Sequence, residues 1–309
     1  MARVAAVDCG TNSIRLLVAD VEAGGRLLDV HREMRVVRLG QGVDATGRLA
    51  PEAIERTRVA LVDYADVITR TSADQVRMVA TSATRDAANR EDFFTMVRSV
   101  LGVDAEVISG DEEARLSFAG AVGELDPAQG PFLVVDLGGG STELVLGDAD
   151  GVAAAFSADI GCVRLTERSL GGDPPSEPEV AAARAVAADV LAAAFAAVPV
   201  ERARTWVGVA GTFTTLAAVA MGLDEYDPER IHLARVGLDR LHQVCTELVG
   251  MRRSQRAALG PMHPGRVDVI GGGALVCDVL ASEVRARAGI TELVVSEHDI
   301  LDGIALSLV

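Results

Sequence analysis

The chain has 309 residues, 49% of them apolar, and a formal net charge of −16. That length exceeds one ordinary core and suits two, the apolar content excludes a disordered chain, and the acidic balance excludes non-specific nucleic-acid binding, which needs a basic face. All 29 basic residues are Arg, so P-loop, Schiff-base and pyridoxal-phosphate chemistry, each of which needs a lysine, is excluded as well.

Strand-like runs open the chain near Val4–Val7, Ser13–Asp20 and Arg26–Val37. The first apolar run meets Asp8 at once and reads as a strand, with no secretion signal expected. A helix is predicted over Pro51–Arg70, with Pro in its first turn and Ile54, Leu61, Tyr64 and Ile68 on one face. Next come a strand (Gln75–Ala80), a helix (Asp86–Leu101), a strand (Asp104–Ile108) and a helix (Asp111–Gly123).

After a loop rich in Asp, Pro and Gly at 124–131, a similar order begins again with strands near Phe132–Val135, Thr142–Leu146 and Val152–Ser157. A long Ala-rich helix follows Ser176, which has capping-box spacing to Glu179. Strand Thr205–Val209 is expected to lead to helix Thr214–Met221, and strand Val267–Ile270 to helix Ala274–Ala288, with helical stretches at Leu238–Val249 and Arg252–Leu259 between them. A last strand, Glu292–Val295, precedes a terminal helix from about Glu297. The uncharged stretch Trp206 to Leu223 is punctuated by Gly and Thr, so it reads as a buried strand and helix with no membrane span. Four scattered cysteines, Cys9, Cys162, Cys245 and Cys277, form no Cys-x-x-Cys pair and suit a reducing cytoplasm.

Two segments repeat one pattern. Val7-Asp-Cys-Gly-Thr-Asn-Ser13 and Val135-Asp-Leu-Gly-Gly-Gly-Ser141 share Val, Asp, Gly and Ser in register, each between two strands. The repetition predicts a duplicated two-domain α/β chain with a cleft between the halves. Chemically, Gly lets successive amides point inward, Ser adds a donor, and the Asp offers a hard oxygen to Mg²⁺. Glu143 lies two residues beyond Ser141, so on a strand both side chains share a face, and Asp136 and Glu143 become candidates to hold one cation.

Other junctions carry weaker signals. Asp111 and Glu112 in the segment Ser109-Gly-Asp-Glu-Glu-Ala-Arg115 read as helix-dipole complements. Arg85 in the hydroxyl-rich segment Thr81-Ser-Ala-Thr-Arg-Asp86 is a candidate two-pronged phosphate donor, with pairing to Asp86 or Glu91 as the alternative. Two strand–Gly–helix junctions, around Gly211-Thr212 and at Gly271–Gly273, present helix N-termini to an anion or nucleotide. Arg252, Arg253 and Arg256 read as a solvated helical face, with attraction of an anionic chain as the alternative.

Taken together, Ala6–Arg15, Ile108–Leu116, Val135–Glu143, Met262–Ile270 and Val294–His298 resemble the exopolyphosphatase / guanosine pentaphosphate phosphohydrolase family. The resemblance runs almost end to end and implies the actin-like, duplicated two-domain fold, divided into residues 1–125 with 297–309 and residues 126–296. It implies Glu113 as the catalytic carboxylate and general base, with Asp136 serving catalysis and metal. Asp8 and Glu143 would join Asp136 in holding Mg²⁺, with Mn²⁺ as the alternative. Asn12, Ser13, Arg85, Gly138, Gly139, Gly140, Ser141, Gly211 and Thr212 would contact phosphates. The substrate would be inorganic polyphosphate or guanosine pentaphosphate. A homodimer is implied by resemblance alone. The extra helical C-terminal domain of longer relatives is not matched here. A small-molecule kinase and a non-hydrolytic guanosine polyphosphate binder are the rival readings.

Overall fold

The computed structural model describes residues 2–22 and 25–309, which form two compact units, Met1–Gly123 with Asp299–Val309, and Glu124–His298. In the first unit, β1 (Ala2–Cys9), β2 (Ser13–Val21) and β3 (Leu27–Val36) form an antiparallel meander. Then come α1 (Val43–Thr46), α2 (Pro51–Thr71), β4 (Gln75–Ala80), α3 (Ser82–Asp86), α4 (Arg90–Leu101), β5 (Ala105–Val107) and α5 (Gly110–Val122). The sheet order is β3-β2-β1-β4-β5, with β4 and β5 parallel to β1.

The second unit contains β6 (Phe132–Leu137), β7 (Thr142–Asp148), β8 (Gly151–Ala158), α6 (Cys162–Ser169), α7 (Glu177–Ala197), β9 (Thr205–Val209) and α8 (Ala210–Ala220). It continues through α9 (Pro228–Ile231), β10 (Arg235–Gly237), α10 (Leu238–Gly250), α11 (Arg253–Ala257), α12 (Ile270–Ala288) and β11 (Glu292–Val295). Its sheet order is β10-β11-β9-β6-β7-β8. Here too an antiparallel meander, β6-β7-β8, is extended on the other side by parallel strands, β9 and β11. The same hairpin-plus-parallel plan therefore occurs twice. The chain ends in α13 (Ile300–Leu306), which packs on the first unit's sheet.

Alternation along β1 explains why that sheet is covered on both faces. Ala5 and Val7 point into a core with Leu61, Tyr64 and Phe93 from α2 and α4, whereas Val4 and Ala6 meet Ile300, Leu301 and Ile304 of α13. Helices α5 and α13 touch backbone to backbone. A Cβ on Gly303 would stand 2.0 Å from the Leu116 carbonyl oxygen, and one on Gly120 1.8 Å from that of Asp299. In the second unit Leu133, Val135 and Leu146 pack with Ala183, Leu191, Phe213 and Leu275 from the covering helices. The 21-residue α7 is Ala-rich and apolar enough to cross a membrane by length and composition, but one face of it, Ala183, Ala187, Leu191 and Ala194, lies in this core.

Several boundaries differ from the sequence reading. No strand forms at Val267–Ile270; a short 3-10 turn at Pro264–Arg266 leads into α12, which starts at Ile270. The sheet position beside β9 is taken by β11. The helix expected over Asp86–Leu101 starts only at Arg90, as α4, and the short α3 ends at Asp86 before it. Asn89 causes the break: its side chain accepts the Leu49 amide at 2.8 Å and donates to the Leu49 carbonyl at 3.1 Å, fixing a non-helical turn. Helix α8 begins at Ala210, four residues before the expected Thr214. The terminal helix starts at Ile300, capped by Asp299, whose Oδ1 accepts the Leu301 amide at 3.0 Å.

Candidate active site

In the first unit the candidate residues gather at the carboxyl ends of β1, β4 and β5. Asp8 ends β1, and its register partner on β2 is Arg15. Arg15 donates Nε and Nη2 to Asp8 Oδ2 at 3.0 and 2.6 Å and its remaining arm to Asp299. Burial pushes the Asp8 carboxyl above its ordinary range against the pull of Arg15, and Asp299 adds to the rise. Asp8 Oδ1 stays buried without a partner, as do Thr11 Oγ1 and Asn12 Oδ1 in the following loop and Thr84 Oγ1 in α3. Cys9 is buried in the core with its thiol pushed well up by burial, so it serves as packing.

The loop that follows is held from behind. Asn12 O accepts the amides of Val37 and Arg38 at 3.1 and 2.8 Å, and Thr11 O accepts that of Gly40 at 2.8 Å. Gly40 is required there, since a Cβ would stand 2.3 Å from Thr11 Cγ2. With the carbonyls engaged, the amides of Thr11 and Asn12 find no acceptor among the described residues. That is the arrangement of an anion-receiving nest. Ser13 begins β2, and its carbonyl closes the turn by accepting the Gly10 amide at 2.9 Å.

Glu113 sits in the first turn of α5 and is only 7% exposed. The helix starts because Ser109 caps it, accepting the Glu112 amide at 3.2 Å. Arg85 donates Nη1 to Glu113 Oε2 at 3.0 Å and to the Ile108 carbonyl at 2.8 Å. Neither Asp86 nor Glu91 takes Arg85; its partner is the candidate base itself. Asp111 and Glu112 pair with Arg115 and Arg77, as dipole complements on a surface would. One carboxylate of the three is thus turned inward.

In the second unit Asp136 and Glu143 are directly opposed across the antiparallel β6–β7 pair and are 6% and 1% exposed. Opposed side chains on one face stand about 4.5–5.5 Å apart at Cβ, and like charges there repel. Ser157 donates to Glu143 Oε1 at 2.7 Å, orienting it. Hard carboxylate oxygens at this spacing fit a small divalent cation.

The Gly138–Gly140 loop between these strands is also held from behind, by the first turn of α6, a helix absent from the sequence reading. Cys162 donates its amide to Gly138 O at 3.0 Å, Val163 and Arg164 theirs to Gly139 O at 2.9 and 3.1 Å, and Arg164 Nε reaches Gly140 O at 2.7 Å. The amides of Gly139 and Gly140 find no acceptor among the described residues. Ser141 is buried, and its carbonyl accepts the Gly138 amide at 3.1 Å.

Gly211 and Thr212 open α8 after Ala210, which adopts the left-handed φ of 69°, a strained angle for a residue with a side chain. The Arg266 guanidinium lies over Gly211, where a Cβ would be 2.1 Å from Nη2, and Arg266 also donates to Thr215 Oγ1 at 2.9 Å. The Thr212 side chain is buried against Cys162 and Gly273. At Gly271–Gly273 the expected strand is missing but the helix N-terminus is present, and these glycines form the first turn of α12 in close packing. A Cβ on Gly272 would meet Thr166 Oγ1 at 2.4 Å, and one on Gly273 would meet Thr212 Cγ2 at 2.7 Å. Arg256 also departs from the expected solvated face: it is 5% exposed, with Nη1 3.0 Å from where a Gly271 Cβ would stand.

A sequence model of the Ppx/GppA phosphatase family matches residues 17–308. The chain belongs to the Ppx/GppA phosphatase family. As a member it is a hydrolase, and the two-unit α/β architecture is shared with solved members of the family. It is 64% identical to exopolyphosphatase 2 of Mycobacterium tuberculosis, over 100% of this chain and 99% of that protein. It is 32% identical to a bifunctional 3-dehydroquinate synthase/phosphatase of Fusobacterium nucleatum, covering 98% of this chain and 46% of that longer protein. Among solved structures, an exopolyphosphatase-like protein superposes with a TM-score of 0.96 at 46% identity, covering 99% of this chain and 97% of that one. An exopolyphosphatase from Cytophaga hutchinsonii superposes with a TM-score of 0.90 at 25% identity, covering 99% and 97%.

Beyond the expected residues, Arg15, Asp299 and Gly161 shape the surroundings of the candidate residues in this Ppx/GppA chain. A Cβ on Gly161 would stand 2.4 Å from the Gly139 carbonyl carbon, so only glycine lets α6 reach the loop. Its sequence signal, a lone Gly before a short amphipathic run, is too common to single out. Asp299 comes from 284 residues beyond Arg15, and no local pattern links them.

Proposed function

We propose that the chain is an exopolyphosphatase that releases terminal orthophosphate from inorganic polyphosphate, with Glu113 as the general base. The observation that carries this reading is the Arg85–Glu113 pair: a buried carboxylate turned inward at a helix N-terminus, its oxygen steered by a half-buried guanidinium. The name of the 64% identical relative agrees with it. Glu113 orients the attacking water and accepts its proton, while Arg85 keeps the carboxylate aimed and supplies donors to the transferring phosphoryl oxygens. The free amides of Thr11, Asn12, Gly139 and Gly140, with the Ser13 and Ser141 hydroxyls, receive phosphate oxygens. Gly211 and Thr212 complete the anion-facing set at the α8 N-terminus.

Asp136 and Glu143 would hold Mg²⁺ or Mn²⁺, and in the first unit the unpartnered Asp8 Oδ1 offers a hard oxygen to a cation, direct or through water. Bound there, the cation would offset negative charge on the phosphoryl group. The leaving group is itself a phosphate, a weak base, so no strong general acid is required. We read the chain as a cytoplasmic enzyme acting on a soluble anionic substrate, without nucleic acid or membrane.

Phosphate release from medium-chain polyphosphate, guanosine pentaphosphate and ATP, compared with and without Mg²⁺, tests the proposal. Mg²⁺-dependent release from polyphosphate is expected. Preference for guanosine pentaphosphate would reassign the substrate and keep the mechanism. Silence on all three from folded protein would contradict hydrolysis and favour a binder or an acceptor-dependent kinase.

A further inference from the structure

The second unit brings Glu124, His232 and His298 together. One ligand-capable atom from each lies within 4.8 Å of the other two. The His232 and His298 rings meet edge to face, 4.7 Å between centroids at 82°, and Glu124 Oε2 lies 2.8 Å from His232 Nε2. We propose that these three side chains form a binding site for a borderline divalent transition ion such as Zn²⁺ or Co²⁺, separate from the all-oxygen Mg²⁺ site.

The donor set makes the chemical distinction. Two imidazoles and one carboxylate suit ions of the zinc and cobalt type, whereas Mg²⁺ selects oxygen ligands and retains water. The backbone around both histidines is fixed before any ion binds. Leu233, next to His232, is held at φ 58° by its amide bond to Val295 O at 2.7 Å. His298 is locked in a turn in which Ser296 Oγ donates to the His298 carbonyl at 2.9 Å and accepts its amide at 3.0 Å. The half-buried rings give an ion access from solvent, and the exposed Glu124 supplies a mobile third arm.

The metal-free site is closed by a proton. His232 Nδ1 accepts the Glu297 amide at 3.2 Å, so the neutral ring carries its proton on Nε2 and donates it to Glu124. An ion at Nε2 moves that proton to Nδ1 and gives up the long Glu297 contact in exchange for a metal bond. Glu124 and His298 are the first and last residues of the second unit. A shared ion therefore cross-links the segments by which the chain enters and leaves it, and should raise resistance to unfolding.

The test uses the full-length protein stripped of metal and then saturated with Mg²⁺, so that general attraction of cations to the acidic chain is already satisfied. Titration with Co²⁺ should give one equivalent with a visible d–d spectrum, and Zn²⁺ at a hundredfold excess over its Kd should raise Tm by about 5 °C. His232→Gln and His298→Gln should each weaken Co²⁺ binding about tenfold or more, abolish the Zn²⁺-dependent Tm rise, and leave Mg²⁺-dependent phosphate release unchanged. Should either variant be unstable without metal, Glu124→Gln, at an exposed position, should still weaken Co²⁺ binding. No stoichiometric Co²⁺ binding by the wild type, or full binding by the double histidine variant, would overturn the proposal.

Discussion

The two glycine hairpins carry nearly the same text and solve opposite electrostatic problems. In the first, the register partner of Asp8 is Arg15, so the buried acid has its own cation, itself anchored by Asp299. In the second, the register partner of Asp136 is Glu143, and two buried acids face each other. The residue two beyond the shared Ser decides the matter: Arg in one copy, Glu in the other. Both loops are braced through their carbonyls, by Val37–Gly40 in one case and by α6 in the other. The repeat thus keeps the braced loop while the cross-strand position differs, setting an acid opposite a base in one hairpin and an acid opposite an acid in the other.

The largest effect should come from neither hairpin. Glu113→Gln should reduce kcat by about a hundredfold or more with little change in KM, measured as phosphate release from polyphosphate; near-wild-type turnover would remove Glu113 as the base. The contrast between hairpins predicts different losses when each is neutralised. Arg15→Ala strands Asp8 and Asp299, and should cost about 3–5 kcal/mol of stability in denaturant unfolding. Glu143→Gln should leave the unfolding midpoint nearly unchanged and raise the Mg²⁺ needed for activity. A reversal of that pattern would break the comparison.

Smaller effects sharpen it. Gly161→Ala pushes a methyl group into Gly139; the overpacking should cost about 1–3 kcal/mol and weaken substrate binding, while the first loop, braced by other groups, is untouched. A last contrast concerns the two 21-residue helices, one in each unit. Helix α2 follows Ala50 and has no side-chain cap, whereas α7 has a capping box in which Glu179 accepts from Ser176, Gly171 and Gly172. The backbone bond from Ser176, with the bonds from its side chain and from Gly171 and Gly172, lowers the Glu179 carboxyl to about 2. A depressed acid lends its stability above its unfolded value and loses it as pH falls through the folded one. Glu179→Gln should therefore make the second unit slightly less stable at neutral pH, with the difference shrinking as the wild type loses this contribution on acidification and vanishing as pH approaches about 2; far-UV circular dichroism of denaturant unfolding at a series of pH values reads it.

Most of the framework was legible because it is written locally. The Asp-Gly-Ser hairpins, the strand alternation of Val4–Val7 and the Ser176 cap are short-range patterns, and each formed where the sequence placed it. The misses have long-range causes. Val267–Ile270 looked like a strand leading to Gly271–Gly273, but α12 begins at Ile270 and Gly272 and Gly273 in its first turn pack against α6 and Thr212. Arg256 looked solvated because its helix is short and basic, yet it is buried beside α12. For Arg85 the sequence offered a phosphate or the neighbouring Asp86 and Glu91 as partners, and its bond to Glu113, 28 residues on, became visible only once β4 and β5 paired.

The most direct test is an Mg²⁺ titration of phosphate release from polyphosphate by the wild type and by Glu143→Gln. The account predicts a half-saturating Mg²⁺ concentration at least about tenfold higher in Glu143→Gln, with its folding intact. An unchanged Mg²⁺ dependence at wild-type turnover would contradict the assignment of the cation to the second hairpin.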